Sequence, residues 1–151
     1  MGFFSREKTF AERFPVERLS FLTGAVGVAI ELCAREHGFD SKAVWGSKFI
    51  GGYLLGYTTY LDDIDERLGG AVRQMLFDGM FGPELGREAF KKATGHFLLE
   101  DQQTKRGWGA AVPDGKRYFV ALEEKRDSTD STDSLKAMFA IGTVDISQQL
   151  L

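Results

Sequence analysis

Cysteine is almost absent from this chain: with Cys33 alone, no internal disulfide can form, and its apolar helical setting suits a buried thiol in a reducing cytosol. Histidine is equally scarce. With only His37 and His96, a zinc site would have to be mixed and scattered, and the Glu-x-x-His pairs of a di-iron bundle are missing. A basic excess is lacking too, since the formal net charge is −3, which counts against a phosphate-backbone partner. The most apolar run, 19–34, is interrupted by Glu31 and is too short to span a bilayer. The first residues show neither a signal-peptide core nor the myristoylation pattern, in which the hydroxyl residue would sit one place later. A soluble, cytoplasmic protein with no membrane insertion is the expectation. Neither a Gly-x-Ser-x-Gly elbow nor a glycine-rich phosphate loop after a strand occurs.

What is present is a helical pattern across 151 residues, a length that fits one domain. Hydrophobic residues at 43% and charged residues at 27% are ordinary globular values. Ile50, Leu54, Tyr57, Leu61, Ile64, Leu68, Ala71 and Met75 follow one another in alternating steps of four and three. That spacing places side chains on one side of an α-helix. The reading is therefore all-α: an antiparallel bundle of four to five helices around a long central helix over residues 41–78. A straight helix of that length would span ~55 Å, against ~40 Å for a compact domain of this size. Either it breaks, with a kink expected at Gly69-Gly70, or it protrudes and pairs with a second copy.

Around that helix, Val16, Leu19, Leu22, Val26, Ala29 or Ile30, and Cys33 predict a first helix over 15–37, ended by Gly38. Gly24 and Gly27 inside it suggest a close neighbour there. Gly52, Gly56 and Thr59 make a small-residue strip on which another helix can pack. Pro83 and Glu84 open a third helix, residues 104–116 read as an irregular connection, and 118–124 leans toward helix. Leu135, Met138, Phe139, Gly142, Ile146 and Leu150 predict a last helix. Residues 1–14, carrying Phe3, Phe4, Phe10 and Phe14, read as an aromatic-rich arm, and 126–134 as a mobile polar linker. The whole chain, 1–151, is taken as one helical domain.

Two constellations have chemical potential. Lys105, Arg106 and Trp108 with Lys116, Arg117 and Tyr118 mix cations and aromatics, as a partner- or ligand-binding surface does. The bland alternative is that Trp108 closes over the bundle end while the cations stay wet. Asp62, Asp63 and Glu66, completed by Glu100, could hold magnesium or manganese in a small all-helical phosphohydrolase. Helical geometry argues against that site, since Asp62, Asp63 and Glu66 should point away from the core when Leu61 and Ile64 point in. A solvated acidic face accounts for them. The leading expectation is a non-enzymatic, self-associating interaction module with no cofactor, its partner itself as a homodimer or another protein.

Overall fold

A computed structural model describes the backbone of residues 16–127 and 129–151, with side chains from residue 21 onward; the aromatic arm lies outside the described residues. Among these, eight helical segments follow one another: α1 Val16–Glu36, α2 Ser41–Trp45, α3 Lys48–Gly56, α4 Thr59–Ile64, α5 Glu66–Phe81, α6 Pro83–Leu98, α7 Gln102–Glu123 and α8 Asp133–Ala140. The only β pairing among the described residues is an isolated bridge from Ser47 to Gln149. The all-α expectation holds, and no described helix is long and apolar enough to cross a membrane.

The first helix follows its stripe. Leu22, Val26, Ala29, Ile30 and Cys33 are buried. At its end Gly38 adopts φ +72, with Phe39 N–H on the Ala34 carbonyl at 2.9 Å and Gly38 N–H on that of Arg35 at 3.2 Å. This double bond is the left-handed glycine cap expected of a helix stop. Glu31, by contrast, is not simply wet, because its carboxylate accepts from Ser41 Oγ and Trp45 Nε1, each at 2.9 Å. Those bonds hold α2 against α1.

The single long helix over 41–78 does not exist; the chain breaks it three times. Capping chemistry explains two of the breaks. Ser47 Oγ accepts from Ile50 N–H at 3.3 Å and donates to the Val44 carbonyl at 2.7 Å. Asp65, at φ −155 and ψ 106, accepts from Arg67 and Leu68 N–H. Short polar side chains compete with the helical ladder in this way. Each break resets the register, so the four-three stripe is continuous in sequence but not in space. Of the stripe, Ile50, Leu54, Tyr57, Leu61 and Leu68 are buried, whereas Ile64 is 43% exposed, Ala71 is exposed and Met75 is half-buried; Val72, Leu76 and Phe77 take their place inside. Gly69 and Gly70 lie within an uninterrupted α5 instead of at a kink.

The largest correction concerns 104–116, which is helix throughout. Gly107 and Gly115 are placed where α7 crosses α3. A Cβ on Gly52 would sit 1.9 Å from the Thr104 carbonyl oxygen, one on Gly107 1.9 Å from that of Phe49, and one on Gly115 1.8 Å from that of Tyr57. Gly56 and Ala111 complete the seam. Residues that are poor helix formers alone become the ones that allow backbone-to-backbone packing, so tertiary contact overrides propensity. The strip of Gly52 and Gly56 thus receives a helix as expected. In the first helix Gly27 has Trp45 and Met80 as neighbours, a Cβ on Gly24 meets nothing within 4 Å among the described residues, and the tight contact falls on Gly79 of α5, against Thr23.

Aromatic rings fill the centre: Phe49, Tyr53, Tyr57, Phe77 and Phe119 are fully buried. The last helix stops at Ala140, where Gly142 at φ +76 ends it. The chain then returns to α3, with Lys48 N–H on the Gln148 carbonyl at 2.9 Å and Leu150 buried over Gly51.

Candidate functional site

The α3–α7 seam has a lateral consequence. Gly56 brings the Trp108 backbone so near that a Cβ would lie 2.6 Å from its carbonyl oxygen. The indole is therefore directed sideways, where it meets the Phe97 ring at a centroid distance of 5.3 Å. Phe90, Thr94 and Phe97, spaced to share one face of α6, stand across from it. Leu55 of α3 and Thr59 of α4 close the remaining sides, giving a half-buried cavity of about 330 Å³. This size is at the low end for small-molecule sites.

One ion pair completes the lining. The short α4 ends at Asp65 and α5 returns beside it, so Asp62 is turned toward α5 and pairs with Arg73. This corrects the expectation that Asp62 faces away from the core. Arg73 also donates through Nε to the Leu55 carbonyl at 3.3 Å. The second carboxylate oxygen, Oδ1, is buried over Gly69, where any Cβ would lie 1.9 Å from it, and it has no hydrogen-bond partner among the described residues. Thr94 donates its hydroxyl proton to the Phe90 carbonyl at 2.9 Å. Sequence reasoning missed Arg73, Phe90 and Phe97. Nothing in local spacing separates the two rings from core residues, and the Asp62–Arg73 pairing depends on a break that the unbroken stripe concealed.

The other acidic candidates are not gathered with Asp62. Asp63 and Glu66 are exposed on opposite sides of the Asp65 break, and Glu100 pairs with Lys105 at 3.1 Å. No group of three or more His, Cys, Asp or Glu residues suited to a metal occurs among the described residues.

Nor do the cationic and aromatic candidates form one surface, because they lie around a helix and not on a loop. Arg106 donates to the Thr143 carbonyl at 3.2 Å, Trp108 lines the cavity, and Tyr118 packs on Phe119 at 5.2 Å. Lys105 and Lys116 are exposed. Arg117 belongs to a buried hub. Its Nη2 lies 2.5 Å from Asp114 Oδ1 and its Nε 3.0 Å from the Asp130 carbonyl. The fully buried Asp114 also accepts from Tyr53 Oη at 2.8 Å and from the amides of Ser134 and Leu135 at 2.9 and 3.0 Å. Thr132 makes no side-chain cap, so a carboxylate from α7 caps α8. Tyr57 Oη adds a bond to the Ser131 carbonyl at 3.1 Å, so the end of the polar segment is hydrogen-bonded to the core. Burial pushes the Tyr53 and Tyr57 hydroxyls well above the ordinary tyrosine range, and the Asp114 charge works in the same direction.

A second surface was also missed. On α1, Phe21, Ala25, Val28 and Leu32 follow at helical spacing, and all four face out, with Phe21 77% and Val28 61% exposed. The inward stripe of the same helix is so regular that it drew attention from the outward one.

Comparison with family models, curated proteins and solved structures finds no match for this chain.

Proposed function

We propose that this chain is a non-enzymatic helical interaction module that pairs with a second copy of itself through the outer face of α1. The exposed Phe21–Ala25–Val28–Leu32 stripe carries the reading, because contiguous apolar faces of this kind mark contact surfaces. A straight stripe at steps of four, three and four is self-complementary. The same patch on two copies can close around a twofold axis with knobs-into-holes packing. Its apolar area is on the order of 300 Å² per copy, below the ~800 Å² per partner of a standard interface. Pairing should accordingly be weak, with a dissociation constant on the order of tens of micromolar. The buried thiol of Cys33, raised above its ordinary range first by desolvation and next by the Glu36 charge, suits a reducing cytosol, which belongs to the same proposal.

Dilution followed by NMR tests the reading. Methyl signals of Ala25, Val28 and Leu32 should shift between high and low micromolar concentration while those of buried Leu54 and Leu61 stay fixed. Signals of α1 that are independent of concentration would remove the self-association part. Shifts that appear only on adding another protein would replace the homodimer with a heteromeric partner.

A further inference from the structure

We propose that the cavity between α3, α4, α5, α6 and α7 binds a small uncharged amphipathic molecule. Its carbonyl or amide oxygen would rest on Arg73, and its aromatic or branched aliphatic body against Phe90, Phe97 and Trp108. The α1 face does not line this cavity, so the inference stands apart from the pairing surface.

Charge balance fixes the class of head group. One guanidinium and one carboxylate line the cavity, and they are paired with each other, so the wall carries no net charge to attract an ion. A carboxylate ligand would set a second anion beside Asp62, and an ammonium would compete with Arg73 for it. Both arrangements are disfavoured in a half-buried, low-dielectric site.

Hydrogen-bonding capacity fixes the polarity. Asp62 offers little to a ligand, since Oδ2 is taken by Arg73 and Oδ1 is buried over Gly69. Arg73, with five N–H groups, uses Nε on Leu55 and one Nη2 hydrogen on Asp62; its others make no hydrogen bond among the described residues. Donors are thus in surplus and a ligand acceptor is what they lack. Thr94, whose own proton goes to Phe90, keeps its oxygen as an acceptor for an amide N–H. Phe97 and Trp108, held in mutual contact, supply a flat wall for a ring. At about 330 Å³ the space suits a body the size of a substituted phenyl ring.

The test uses the full chain, ¹⁵N-labelled, and three probes with one phenylpropyl skeleton: 3-phenylpropionamide, 3-phenylpropionate and 3-phenylpropylamine. The amide should shift the Trp108 indole N–H and the amides of Thr59 and Thr94, with each charged probe at least about fivefold weaker. Arg73→Lys keeps a cation for Asp62 while removing the planar fork of donors. It should weaken the amide about fivefold and leave the weak binding of propylbenzene unchanged. The proposal is overturned by absence of shifts up to about 10 mM amide or by shifts centred away from the cavity. It is equally overturned by a charged probe binding as tightly as the amide, or by an Arg73→Lys variant with unaltered amide affinity.

Discussion

Replacing Gly52 by alanine tests whether the α3–α7 seam organises the fold. The added Cβ would fall 1.9 Å from the Thr104 carbonyl oxygen, and its neighbours there are backbone, which cannot rotate away. The two helices would have to part by about 1.5 Å before the contact became ordinary, loosening the matching approaches at Gly56 and Gly107 along the same seam. Overpacking a tight core costs ~1–3 kcal/mol, and a rigid backbone neighbour places this case at the upper end. Alanine recovers about 1 kcal/mol of helix propensity, leaving a net loss of roughly 2 kcal/mol. Gly24 and Gly70 supply the control, since a Cβ at either meets nothing within 4 Å among the described residues. There the propensity gain stands alone, and alanine should stabilise by about 0.5–1 kcal/mol. Urea unfolding followed by circular dichroism reads the difference as a change in midpoint at constant slope. A separation of ~3 kcal/mol corresponds to roughly 6–12 °C in melting temperature. If Gly52→Ala matched the wild type within about 0.5 kcal/mol, or stabilised as Gly70→Ala should, the seam argument would be wrong.

Asp114→Ala removes the cap of α8 and the acceptor of the buried Tyr53 hydroxyl together. It should cost ~3 kcal/mol and speed hydrogen exchange at the Ser134 and Leu135 amides, whereas normal exchange there would refute the capping role. Glu100 and Lys125 end their helices at φ +60 and +56. Glycine at either position should therefore stabilise by about 0.5–1 kcal/mol in thermal melts, a loss of stability being the contrary result. Tyr53 and Tyr57 have hydroxyls raised above their unfolded value chiefly by burial. The folded state consequently keeps protons that the unfolded chain releases, and stability should be full below about pH 10 and fall as the pH rises beyond it. In an alkaline titration monitored by tyrosinate absorbance, these two tyrosines should ionise only with unfolding. Early ionisation of all four would contradict their burial.

Where side-chain periodicity alone decides structure, the sequence is readable. The inward face of α1 and the start of α6 at Pro83 follow directly from spacing and capping residues. Periodicity fails where a capping side chain interrupts a helix without interrupting its pattern, as Ser47 and Asp65 do. It fails again where glycines are chosen for a neighbour that local sequence cannot reveal. Gly107, Gly109, Pro113 and Gly115 look like a loop until α3 is laid across Gly107 and Gly115. Pro113 leaves the Gly109 carbonyl without its helical donor, and Gly109 is exposed, so water can serve it. The cavity was legible only in fragments. Trp108 and Asp62 each stood out, but for different imagined sites, and nothing local tied either to Arg73 or Phe97. Buried Asp114 was overlooked for the same reason, because its partners lie on α3 and at the start of α8.

Sedimentation equilibrium of the full chain, beside its Val28→Glu variant, tests most directly the claim that α1 is a pairing face. Val28 is 61% exposed, so glutamate there should leave folding and the melting temperature of the monomer intact. Between about 5 and 200 µM, the wild type should pass from monomer toward dimer and the variant should stay monomeric. A wild type that remains monomeric throughout, or a variant that dimerises as well as the wild type, would contradict the account.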